Sequence, residues 1–316
     1  MSPPQPKITA SGMFNFGPVN GTYIGSLKES KKQGPGILYT REDVTFGKWR
    51  NGNFEGSSGG RIKRDGTEYY GQLDSLMRPH GHGFYKYPNG TITIGNWEHG
   101  NREGFCQTIY QNPKSTYKGN YKNDLRHGQG VIESDTVTFS AEFVNDAVSG
   151  NVLIKYQNGS VYEGGYRTRF GRNGMGKLTT PNGKIYTGNF INDKLNGDFI
   201  VTSEFETFEC NYQNNKRQGF ATFNVLDNIT VRVEYDQGNL VRNCFCKWFN
   251  GNIFRGKFHG YDYFGKMTFQ NGKTIYGRLN TNWQFCPDYI TSGISNKRNI
   301  DELSEENMGT KKVRFE

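Results

Sequence analysis

Two glycine-rich stretches have residue types and spacings that could do chemistry. Gly56-Ser57-Ser58-Gly59-Gly60 fits Gly-x-Ser-x-Gly, in which a serine sits on a strained strand-to-helix elbow beside His and Asp partners. Gly171-Arg172-Asn173-Gly174-Met175-Gly176-Lys177 approaches a phosphate-binding loop, but Leu178 stands where Ser or Thr would hold magnesium. Both motifs need a following helix. His80 and His82 flank Gly81, while His99, His127 and His259 are scattered and no cysteine or carboxylate accompanies them at metal-ligand spacing. Cys244 and Cys246, two apart in one expected strand, share a face and read as packing. No carboxylate pair recurs as general acid–base work requires. The sequence therefore points away from an enzyme, with no catalytic, cofactor or metal residue assigned.

The elements that would have to position such groups are β-strands. The 316 residues include 42 Gly, 23 Phe and 19 Tyr, against only four Ala and twelve Leu. Turn formers and strand-favouring aromatics dominate, and good helix formers are scarce. No apolar run reaches the roughly 18 residues of a membrane-spanning helix. The opening MSPPQPKITASG lacks the apolar stretch of a secretory signal. Five scattered cysteines (Cys106, Cys210, Cys244, Cys246, Cys286) suit a reducing, cytoplasmic setting better than a disulfide framework. The formal net charge of +9 permits anionic partners without identifying one.

A repeat of 21 to 24 residues organises the chain. Its signature is Tyr-x-Gly-x-aromatic, cleanest at Tyr117-Lys118-Gly119-Asn120-Tyr121, Tyr162-Glu163-Gly164-Gly165-Tyr166 and Tyr186-Thr187-Gly188-Asn189-Phe190. Anchors fall at Tyr23, Thr45, Tyr69, Thr93, Tyr117, Phe139, Tyr162, Tyr186, Phe208, Val231, Phe254 and Ile275. A second glycine follows most anchors eleven or twelve residues on, as at Gly34, Gly104, Gly128 and Gly219. Each unit reads as an alternating strand, a polar loop such as residues 122–127, a second alternating strand and an Asn-Gly or Asp-Gly pair. Asn89-Gly90, Asn158-Gly159 and Asn271-Gly272 are expected to make two-residue hairpin turns with both residues at positive φ. The recurrent glycines would admit aromatic rings against the backbone.

These residues resemble the MORN repeat (membrane occupation and recognition nexus), whose pattern runs Tyr-x-Gly-x-Trp, Asn-Gly-x-x-x-Gly-x-Gly, an aromatic strand and Asp-Gly. The resemblance implies an all-β chain: an elongated, twisted, single-layer antiparallel sheet of about 12 consecutive hairpins. At ~4.8 Å per strand it would extend roughly 110 Å. It would run from a half-unit at residues 13–22 to residue 286, between a flexible N-terminus (1–12) and a flexible tail (287–316). The units at Phe139, Phe208 and Val231 depart from the pattern, with Ala141, Cys210 and Val233 at the first glycine.

Basic residues stand nine positions after four anchors, at Lys32, Arg102, Arg126 and Arg217, and could align as a loop ridge for anionic lipid or an acidic protein. Lys311-Lys312-Val313-Arg314-Phe315 resembles the docking motif for the protein phosphatase 1 catalytic subunit, with Val313 and Phe315 filling adjacent pockets beside an added strand. An uncovered aromatic face, typified by Tyr121, is expected to be an interface. The resulting expectation is a non-catalytic scaffold holding protein partners, without nucleic acid or cofactor. The resemblance adds a cytoskeletal setting such as the ciliary axoneme and its radial spokes. A homodimer is compatible with the same sheet. The alternative is a peripheral module on phosphoinositide-rich membranes.

Overall fold

The computed structural model describes residues 9–17, 21–204, 206–225, 228–259, 262–280, 282 and 284–287. Among them it is all-β, with 25 strands from Thr9–Asn15 to Phe285–Pro287 and no helix. Two compact units divide the chain, Met1–Val241 and Arg242–Glu316. In the first, each strand through Ile229–Asp236 pairs antiparallel with the next in sequence. In the second, residues 243–247 of Asn239–Trp248, then Ile253–His259, Asp262–Thr268, Thr274–Leu279 and Phe285–Pro287 do the same. The first strand begins at Thr9, ahead of the half-unit expected at Met13.

A single-layer sheet has no second layer to cover its apolar side, so coverage must come from the repeat itself. Tyr117 shows how. Its ring lies across Gly119, two residues on, and Gly130, which pairs with Gly119 on the next strand. A Cβ on Gly130 would stand 2.5 Å from the Tyr117 hydroxyl oxygen. The same cradle holds Tyr23 on Gly25 and Gly36, Tyr69 on Gly71 and Gly83, and Tyr162 on Gly164 and Gly176. In the second unit Phe254 lies on Gly256, the partner of Gly265. These five rings are buried. Where the anchor is Thr45 or the first glycine is Cys210, the column is filled otherwise: Phe54 covers Gly47, and Cys210 faces Ala221.

Register shifts after the cradle glycine, between Gly119 and Tyr121 and between Gly164 and Tyr166. Such a bulge leaves an extra residue outside the ladder. The tyrosine hydroxyl donates to the carbonyl in that gap: Tyr117 to Asn120 at 3.1 Å, Tyr162 to Gly165 at 2.8 Å and Tyr69 to Gln72 at 2.7 Å. The second glycine column supplies the bulge. Gly34, Gly104, Gly128 and Gly219 have φ of 70°, 70°, 73° and 72°. Those glycines therefore serve backbone conformation, not ring packing.

The turns correct the expected arrangement. The pairs expected as two-residue turns, Asn89-Gly90, Asn158-Gly159 and Asn271-Gly272, are not, because only the glycine has positive φ there, as at Gly90 (80°) and Gly159 (86°). Tyr87 N donates to Thr91 O and Gly90 N to Tyr87 O, which defines a three-residue hairpin ending in a left-handed glycine. Asn89 Oδ1 accepts from Thr91 N at 3.0 Å. The two-residue turns lie at the other end of most units, inside the expected polar loop, while those of Tyr69 and Tyr162 close three residues there. Asn123-Asp124, Asn145-Asp146 and Asn192-Asp193 have both residues at positive φ, between 49° and 67°. Asn and Asp tolerate that region.

Two outcomes follow from the cradle. Gly130→Ala is expected to lower unfolding stability by about 1–3 kcal/mol through overpacking against Tyr117, read by chemical denaturation. An unchanged midpoint would show that the ring can move aside. Burial raises the tyrosine hydroxyls of Tyr69, Tyr117 and Tyr162 to about 12. The folded state then holds its protons to higher pH than the unfolded chain, whose tyrosines titrate near ~10. Stability contributed by these groups is present below pH ~10 and falls as pH rises toward 12. Denaturation midpoints at pH 8 and 11 measure the loss.

Candidate functional site

The four residues expected to form a loop ridge all lie in strands: Lys32 in Lys31–Tyr39, Arg102 in Asn101–Gln111, Arg126 in Leu125–Ser134 and Arg217 in Lys216–Val225. The loop is only the two-residue turn, so the residues after it already belong to the sheet. Arg102 is folded down onto its neighbours, its side chain 18% exposed. Its guanidinium lies 4.1 Å from the centre of the Tyr121 ring. Its Nε and backbone N both donate to Asp124 Oδ1, at 2.9 and 2.8 Å, and Nη2 donates to Asp124 O at 2.8 Å. Asp124 N returns a bond to Arg102 O at 3.1 Å.

This clip recurs. Arg126 binds Asp146 and covers Phe143 at 4.9 Å. Arg172 binds Asp193 and covers Phe190 at 5.2 Å. Each clip ties a strand to the tight turn 20 to 22 residues on. Burial opposes ionisation of Asp146, but the Arg126 donors outweigh it and hold the carboxyl below its usual range. Lys32 and Arg217 face glycines in that turn, Gly52 and Gly238, so no turn carboxylate meets them. Lys32 lies over Phe16 and Tyr23, while Arg217 lies over Tyr235 and Phe208 and donates from Nη1 to the Tyr235 hydroxyl at 2.9 Å. Burial lowers the Lys32 ammonium.

Tyr121 is not a surface aromatic. It is 3% exposed, covered by Arg102 and bonded to Thr108. The apolar surface left open is on the opposite face. There Met13, Ile24, Ile37, Phe46, Gly60, Tyr70, Phe84 and Ile94 are cross-strand neighbours in eight successive strands. Phe46 lies over Gly60, and its ring is 6.1 Å from that of Tyr70, which in turn is 6.1 Å from Phe84. Tyr70 and Ile94 are each 40% exposed and Met13 is 71% exposed. Beyond Ile94 the same row continues with Gln107, Lys118, Val131, Ser140, Leu153 and Glu163.

The motifs suggestive of catalysis fall inside strands, Gly56–Gly60 within Asn53–Lys63 and Gly171–Lys177 within Gly171–Thr179. Among the described residues no group of three His, Cys, Asp or Glu is arranged to hold a metal ion. Cys244 and Cys246 do share a face, with sulfurs 3.4 Å apart and both buried. Lys311, Lys312, Val313 and Phe315 lie outside the described residues.

An antiparallel chain of hairpins whose anchor ring rests on paired glycines defines a class, and the comparisons name it. Residues 78–92, 94–112, 117–135 and 162–185 match the MORN repeat, so the chain carries MORN repeats. Over 169 residues it is 28% identical to Alsin of Mus musculus and to Alsin of Homo sapiens. The match covers 49% of this chain and 10% of each relative, so the chain spans about a tenth of their length. Among solved structures it is similar to the TCP10 domain of Danio rerio CPAP in complex with a STIL peptide, with TM-score 0.42 and 11% identity, covering 74% of this chain and 97% of that one. It is also similar to the SAS-4 (dCPAP) TCP domain of Drosophila melanogaster in complex with an Ana2 proline-rich motif, with TM-score 0.32 and 15% identity, covering 47% and 83%.

The clip makes a specific demand on stability. Asp124→Ala removes the acceptor for two Arg102 donors and is expected to cost about 1 kcal/mol, discounted because Asp124 is 44% exposed. Thermal unfolding of the variant checks this; an unchanged midpoint would reduce the clip to a surface pair.

Proposed function

We propose that this MORN-repeat chain is a non-catalytic scaffold that docks protein partners on the open apolar row of its first eight strands. The observation that carries the reading is the contrast within one register row. The hairpin tolerates Gln107, Lys118, Ser140 and Glu163 at positions where the first strands hold Met13, Ile24, Phe46, Tyr70 and Ile94. The fold does not need apolar residues there, and a contiguous exposed apolar patch of this kind marks an interaction surface. Lys48, exposed and two residues from Phe46 on the same face, makes no ion pair among the described residues, which favours an acidic amphipathic partner segment.

The scaffold reading extends to a cytoskeletal assembly, on the family resemblance, and to phosphatase recruitment through Val313 and Phe315, on the terminal motif. Proximity labelling in the native cell separates these parts. A Tyr70→Asp, Ile94→Asp chain is expected to lose most neighbours labelled by the wild type while retaining its far-ultraviolet β signal. A Val313→Ala, Phe315→Ala chain is expected to lose the phosphatase alone. Neighbours unchanged by Tyr70→Asp, Ile94→Asp would overturn the docking face, and a wild-type set without cytoskeletal proteins would overturn the setting.

A further inference from the structure

Several units lack the clip, Lys32 and Arg217 meeting a turn glycine and Leu195 meeting Asn215, and where Pro79 meets Gly100 a groove lies beside the missing groups. Where Arg102, Arg126 and Arg172 sit in the later units, the strand Pro79–Lys86 begins with a proline. Where Asp124, Asp146 and Asp193 sit in the turn, this unit has Gly100, whose N donates to Pro79 O at 2.8 Å. Pro79 has no N–H to offer a turn carboxylate and Gly100 no carboxylate to receive one. Both halves of the clip are lost together. Beside them lies a groove of about 180 Å³, also lined by Arg61, Lys63, Thr67, Tyr69, Arg78 and Tyr85.

That lining holds three cations and no carboxylate. Two of the cations are fixed from behind. Asp43 takes Arg61 through Nε at 2.6 Å and through Nη2, and Asp74 takes Arg78 through Nε at 2.8 Å and Nη2 at 2.7 Å. Lys63 makes no ion pair among the described residues. The Tyr85 ring, stacked on Trp97 at 5.0 Å, forms an aromatic wall. The indole N–H of Trp97 is buried and has no hydrogen-bond partner. Fixed guanidiniums, an ammonium whose only nearby carboxylate influence among the described residues is that of the exposed Asp65, and an aromatic wall favour a planar anion.

We infer that this groove accepts a carboxylate from an acidic peptide segment of a partner, which takes the place of the turn aspartate that three later units carry themselves. The groove lies on the cradle face with Tyr69, opposite the row containing Tyr70, so it is a second site, independent of the apolar docking face.

The chain supplies its own control, because the missing carboxylate can be restored. A Cβ on Gly100 would meet Arg78 Cβ at an ordinary 3.8 Å, though its φ of 96° must relax toward the 64° to 67° of the turn aspartates. The probe is a fluorescein-labelled deca-glutamate peptide, its anisotropy followed against the full chain at low salt. Lys63→Gln and Gly100→Asp are each expected to weaken binding about tenfold, the worth of one charge-assisted contact. Lys48→Gln, on the other face, should leave it unchanged. Circular dichroism checks that Gly100→Asp folds, and Lys63→Gln carries the test if it does not. Acetate should compete with the peptide. No wild-type binding, binding indifferent to both variants, or equal loss with Lys48→Gln overturns the site. Competition by inorganic phosphate at much lower concentration than acetate also overturns it, marking a phosphate site instead.

Discussion

The rest of this structure depends on one contact, an aromatic ring laid flat over two glycines paired across adjacent strands. In a two-layer protein a sheet buries its apolar face against a second sheet or a helix. Here Tyr23, Tyr69, Tyr117 and Tyr162 reach complete or near-complete burial within a single layer, because each covers its own strand and the next. The contact explains the composition: a large ring for area, and no Cβ beneath it. At Tyr69, Tyr117 and Tyr162 the hydroxyl at the end of the ring also donates to a carbonyl in the bulge. The bulge is the backbone's own feature, since it persists in the units anchored by Thr45 and Thr93, while the ring and the glycine pair depend on each other.

A second ring per unit needs another cover, and the Arg–Asp clip provides it. Arg102, Arg126 and Arg172 extend their stems over Tyr121, Phe143 and Phe190 while their heads are held by a turn one repeat away. The clips therefore couple neighbouring repeats through side chains, in addition to the backbone ladder. Much of the positive charge aligned along this column is matched locally, which leaves Lys32 and Arg217 as the members that face no turn carboxylate.

The hairpins, their order and the cradle glycines were legible in the sequence because each leaves a fixed column: Tyr117, Gly119 and Gly130 recur in phase. The turns were misplaced for a physical reason. Asn-Gly has a strong preference for a two-residue hairpin turn, yet Asn158-Gly159 closes a three-residue one, while Asn123-Asp124 makes the tight turn. The latter pair lacks glycine and looks like ordinary polar loop. The clip was half visible. Arg102 and Arg126 fell in a column, but Arg172 is ten residues from its anchor instead of nine, and Asp124 lies in the following loop. The repeated Arg-to-Asp spacing of 20 to 22 residues was the signal that could have joined them. Tyr121 looked exposed because a single sheet was expected to leave one aromatic face bare, and the covering guanidinium was not foreseen.

Repetition separates what the fold requires from what it permits. Positions that the fold requires keep their chemistry along the chain or are replaced as a set, as Thr45 and Phe54 exchange together. Positions that the fold permits to vary show no such compensation. The row opposite the cradle is one of these, since Lys118 and Glu163 occupy it without disturbing the strands they sit on. An apolar run there, from Met13 to Ile94, cannot be ascribed to folding, and neither can a groove whose two missing groups would complete a clip. In a chain built from copies of one hairpin, function is to be sought where a copy departs from its neighbours and the departure leaves surface uncovered.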